Sequence, residues 1–110
     1  MDEIVVLITA PSKADAEKIG VALVEVQLAA CVNIMPSVTS IFSWKGEICR
    51  EEEVLIIAKS RRPLFEKLIA LVKAHHAYSV PEIVALPIVA GSKDYLDWIG
   101  KNTQASSESL

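Results

Sequence analysis

The chain has 110 residues, 52% of them hydrophobic, a formal charge of −3, and only four glycines, five prolines and two cysteines. That is the size of one domain, able to bury about two thirds of its unfolded-chain surface without disulfides. The acidic balance disfavours a nucleic-acid binder, which needs clustered Lys and Arg. This chain has one small basic cluster, Lys59, Arg61 and Arg62, that reads as a solvated strand end, and no apolar run approaches the roughly 20 residues of a membrane span.

The amino terminus, Met1-Asp2-Glu3, is acidic and runs directly into Ile4-Val5-Val6-Leu7-Ile8. It lacks the basic stretch and cleavage site of a signal peptide, so a cytosolic protein is expected. The unbroken apolar run predicts a central strand buried on both faces. Ser12 followed by Asp15 resembles a capping box, and Ala16, Ile19, Leu23, Val26 and Ala30 recur at helical spacing. A helix with one apolar stripe is expected there.

Residues 31–60 read as two long strands folded back around Lys45-Gly46. The even positions Val32, Ile34, Pro36, Val38, Ser40, Phe42 and Trp44 suggest one sheet face. Pro36 and Ser37 are expected to bend this arm, because proline cannot donate to a ladder. At about 3.3 Å per residue a fifteen-residue arm reaches roughly 50 Å. A chain of this length packs into a sphere only roughly 34 Å across. The hairpin should therefore overhang its domain and leave Phe42 and Trp44 to be covered by another subunit. The returning arm starts polar at Arg50-Glu51-Glu52-Glu53, expected to project, and ends apolar at Val54-Leu55-Ile56-Ile57-Ala58, expected in the core.

Pro63 suits the first turn of a second helix with the stripe Phe65, Leu68, Val72 and His75. A turn-like link, Ala77-Tyr78-Ser79-Val80-Pro81, leads into a fourth strand over residues 83–89, closed by Gly91. A short helix over residues 92–99 sets Tyr95 and Trp98 one turn apart, and residues 103–110 read as a flexible tail. The order β-α-β-β-α-β with an appended helix is that of an α+β, ferredoxin-like sandwich.

Glycine-rich nucleotide loops, HExxH and GxSxG are all absent, as is the aromatic-rich RNA-binding pattern found on some ferredoxin-like sheets. Cys31 and Cys49 have no CxxC spacing and are expected as free thiols, Cys31 packed as a small hydrophobe and Cys49 reachable on the arm. The chemistry that remains is the run His75-His76-Ala77-Tyr78-Ser79-Val80-Pro81-Glu82-Ile83, with both histidines at one corner.

The segments Thr9-Ala10-Pro11, Leu28-Ala29-Ala30-Cys31-Val32-Asn33-Ile34, Ser43-Trp44-Lys45-Gly46, Tyr78-Ser79-Val80-Pro81-Glu82-Ile83 and Tyr95-Leu96-Asp97-Trp98-Ile99 closely resemble the CutA divalent-cation tolerance proteins, in order, over residues 3–100. The resemblance implies one CutA-like domain over residues 1–102, a homotrimer similar in architecture to the PII signalling proteins, and a role in tolerance of copper or other divalent cations. It implies a copper(II) or similar divalent site at His75 and His76. The cysteine that some relatives add is Ile8 here, and the family's His-Pro-Tyr has become His76-Ala77-Tyr78.

The residues themselves keep plainer readings open. Adjacent helical residues point about 100° apart, so one ion reaches both imidazoles only where the helix unwinds. His75 continues an apolar stripe and reads equally as half-buried packing; His76 suits a place against the last helical carbonyls. Glu82 is expected to face Lys45, Lys59 or Tyr78 in a cleft between subunits, or to form a structural ion pair there. The expected function is a non-enzymatic homotrimer of metal tolerance. Its rivals are a PII-like module binding a small anionic ligand in the intersubunit cleft, and an enzyme using Glu82 and Tyr78.

Overall fold

A computed structural model describes residues 2–103. Strand β1 (Glu3–Ala10), helix α1 (Lys13–Glu25), strands β2 (Cys31–Trp44) and β3 (Glu47–Arg61), helix α2 (Phe65–His75), strand β4 (Ile83–Pro87) and helix α3 (Lys93–Lys101) follow in that order. The strands form one antiparallel sheet in the order β2-β3-β1-β4. This is the ferredoxin-like arrangement expected from the element order. The flexible-tail expectation falls outside the described residues except at Thr103.

Local chemistry sets each boundary. Ser12 caps α1, accepting a 3.1 Å hydrogen bond from the Asp15 N–H. The helix ends at Val26 rather than running to Ala30, because Gln27 turns left-handed at φ 63°. The Leu28 N–H then closes on the Leu23 carbonyl at 2.9 Å and the Gln27 N–H on Val24 at 3.1 Å, the two bonds of a Schellman motif. Pro63 lies in a 3₁₀ turn, Arg62–Leu64, that leads into α2. Strand β4 stops at Pro87 instead of reaching residue 89, since proline offers no ladder donor.

The hairpin turns on Lys45 and Gly46, with φ of 52° and 82°, between the paired Trp44 and Glu47. Two left-handed residues joining two strands make the type I′ turn whose twist matches a hairpin. The arms give the molecule a long axis of 43 Å, against 31 and 23 Å in the other directions, so the overhang is observed.

The sheet's helix-facing side is the core. A row of four isoleucines crosses every strand, Ile34–Ile56–Ile8–Ile83, with Ile8 and Ile56 fully buried. Helix α1 comes close to β2 at Gly20, where a Cβ would meet Val32 Cγ1 at 3.0 Å. The opposite side carries the rows Val84–Leu7–Ile57–Asn33 and Leu86–Val5–Lys59–Cys31. Helix α3 lies against β3 and β1, yet Val84, Leu86 and Met35 remain about half exposed. Strand β1 is thus central as expected, but within one chain Val5 and Leu7 are only half-buried.

The single even-numbered face expected along the first arm does not exist. Between Met35, which pairs with Leu55, and Val38, which pairs with Glu53, Pro36 and Ser37 stand opposite Val54 alone. This bulge flips every later side chain to the other side of the sheet. Val32 and Ile34 face the helices with Ala58 and Ile56; Val38, Phe42 and Trp44 share the opposite face with Glu53, Cys49 and Glu47.

Candidate functional site

The corner after α2 is built by the end of that helix. Leu64, Leu68 and Val72 are buried at intervals of four, so the next inward position is 76 rather than 75. His75 is accordingly exposed, not half-buried. Its Nδ1 lies 3.0 Å from the Leu71 carbonyl one turn back. A carbonyl only accepts, so Nδ1 carries a proton, and Nε2 has no hydrogen-bond partner among the described residues. It is His75, and not His76, that sits against a late helical carbonyl.

His76 leaves the helix in an extended conformation, φ −98° and ψ 144°. Its Nδ1 accepts the Tyr78 N–H at 3.0 Å, and its Nε2 lies 2.6 Å from the Thr9 carbonyl at the end of β1. A backbone N–H only donates, so the ring is the Nε2–H tautomer and both nitrogens are engaged. The His76 and Tyr78 rings pack with centroids 4.6 Å apart. The Tyr78 hydroxyl then donates to Glu53 Oε2 at 2.6 Å.

Glu53 and Thr9 were not singled out from the sequence. Glu53 closes an acidic run expected to project, but it is buried and shares a sheet face with Leu55 and Ile57; its place on that alternation was the available signal. Burial, then the hydrogen bond and charge of Glu53, with Glu51 and Asp15 adding further negative charge, hold the Tyr78 phenol well above its usual range. Tyr78 is therefore a committed donor in an electronegative corner.

The remaining candidates are dispersed within one chain. Glu82 is exposed and makes no hydrogen bond with Tyr78, Lys45 or Lys59 among the described residues, where the one ion pair is Lys93–Asp97 at 2.8 Å. Lys59 donates to Asn33 Oδ1. Lys45 is exposed at the hairpin tip, beside Trp44, which is 48% exposed. Cys31 and Cys49 are both half-buried free thiols. Tyr95 and Trp98 stack at 5.6 Å on α3.

A chelate of His75 and His76 does not fit this geometry. The rings serve different carbonyls, and His76 has no free nitrogen. Ile8 is buried in the helix-side core and supplies no donor. Among the described residues no three His, Cys, Asp or Glu side chains gather as a ligand set. His75 Nε2 is the open imidazole nitrogen.

The profile of the CutA1 divalent ion tolerance protein family matches residues 4–102. The divalent-cation tolerance protein CutA of Thermus thermophilus is 54% identical over 101 residues, covering 92% of this chain and 98% of that protein. Human protein CutA is 41% identical over 103 residues, and this chain spans only 58% of its length. The solved Thermus thermophilus Cut A1 superposes with a TM-score of 0.91 at 54% identity, covering 93% of this chain and 99% of that one. The periplasmic divalent cation tolerance protein CutA of Archaeoglobus fulgidus gives 0.90 at 42% identity, with coverage of 93% and 99%. With the ferredoxin-like sheet, the long hairpin and a profile match across nearly the whole described chain, this protein belongs to the CutA1 divalent ion tolerance family.

Proposed function

We propose that the protein acts as a cytosolic homotrimer in divalent-cation tolerance, and that it binds copper(II) or a similar ion at His75, with water and a neighbouring subunit completing the ligand set. The assembly reading rests on the open sheet face. Val84, Leu86, Met35, Phe42 and Trp44 leave apolar area in water on one side of the sheet and its overhanging arm, and another copy of the chain would cover it. Among the described residues no helix is long and apolar enough to cross a membrane.

The observation that carries the cation is the open Nε2 of the exposed His75. A neutral imidazole suits copper(II) best among common divalent ions. The negative charge around Tyr78 disfavours the rival anionic ligand at this corner. The reading is one of binding without turnover, supported by a Tyr78 hydroxyl committed to Glu53 and a Glu82 turned to solvent. Light scattering coupled to size exclusion should give about three times the chain mass of 12.0 kDa. Copper calorimetry should show binding that His75→Ala abolishes; a folded monomer, or undiminished binding in that variant, would overturn the proposal.

A further inference from the structure

We infer that His76 is a strut of the fold and not a cation ligand, which leaves His75 Nε2 as the imidazole nitrogen open to a divalent cation. The second half rests on the cation reading above; the first stands on geometry alone. Residues 76–82 join α2 to β4 without belonging to either, so their backbone groups lack ladder partners and side chains must fix their path. His76 does so at two points, holding the Tyr78 N–H on one nitrogen and the Thr9 carbonyl on the other. Tyr78 adds a third attachment through Glu53 on β3. The connection is thereby tied to both β1 and β3.

Metal capture by His76 would undo this arrangement whichever nitrogen took part. Ligation through Nδ1 would strip the Tyr78 N–H of its acceptor. Ligation through Nε2 would require that nitrogen to lose the proton it shares with Thr9. Either route leaves a half-buried polar group unpaired, a loss that a free imidazole such as His75 does not incur. The single-residue offset between the two histidines decides this: position 76 continues the buried interval of four, whereas position 75 lies outside it.

Nitrogen-15 NMR of the full chain tests both halves. Neutral His76 should show a protonated Nε2 and a bare Nδ1, and titration with Zn(II), a diamagnetic stand-in for copper, should move the His75 resonances and spare those of His76. A proton on Nδ1 of His76, or zinc shifts shared by both rings, would overturn the strut. If neither ring responded to zinc or copper, the His75 assignment and the cation reading would be overturned, while the tautomer would still decide His76. His76→Ala should lower Tm by about 5 °C, and His76→Gln, whose amide can still donate toward Thr9, should recover part of that loss. His75→Ala should leave Tm unchanged. An unaltered Tm in His76→Ala would also count against the strut.

Discussion

The Tyr78 hydroxyl meets the buried carboxylate of Glu53 at 2.6 Å, across 25 residues of sequence. Tyr78→Phe removes the donor and leaves Glu53 without it, at a cost of about 1–3 kcal/mol. Denaturant unfolding should show a lower midpoint with an unchanged slope. The pH dependence has a definite sign. The folded phenol titrates above its unfolded value of about 10, so its contribution is complete below about pH 10 and disappears as pH rises toward the folded value. The wild type should lose its advantage over Tyr78→Phe only in strong alkali.

Trp44→Asp should dissociate the proposed trimer. Trp44 shares a sheet face with Phe42 on the overhanging arm, and an unpaired charge in a dry interface costs several kcal/mol. Scattering at micromolar protein should show the mass falling toward one chain. A variant that kept the trimer would place the contact elsewhere.

Gln27→Gly should stabilise the protein by about 0.5–1 kcal/mol. Gln27 is exposed and holds φ 63° at the end of α1, a conformation that costs a side-chain-bearing residue about 1–2 kcal/mol, partly offset by the greater chain entropy of glycine. Thermal unfolding should show a higher Tm, and Gln27→Ala should show none of the gain.

Thr103→Val should destabilise the docking of α3 by about 1–2 kcal/mol. Thr103 is fully buried; its hydroxyl accepts from Arg61 Nε at 2.8 Å and donates to the Ile99 carbonyl at 2.7 Å. Valine keeps the shape but strands the Arg61 Nε and leaves the Ile99 carbonyl only the weaker bond from the Asn102 N–H. Hydrogen exchange should rise first in α3, with the β1–β3 ladder less affected.

Much of the fold was legible because its signals are local. The Ser12 cap, the Lys45-Gly46 turn and the irregularity at Pro36 each depend on a few neighbouring residues and the backbone angles they permit. Arm length against domain size foretold the overhang, and segment by segment the sequence resembled its family. What tertiary structure decided was phase and partnership. One extra residue at Pro36-Ser37 moved Phe42 and Trp44 off the face that carries Val32 and Ile34, and alternation alone cannot count residues through a bulge. One step of helical phase set His75 in water and His76 against Thr9. Glu53 became the partner of Tyr78, although Glu82 stands closer in sequence. Side-chain hydrogen bonds form between groups that packing brings together, whatever their separation along the chain, and a sequence read in order fixes neither that approach nor the tautomer that follows from it.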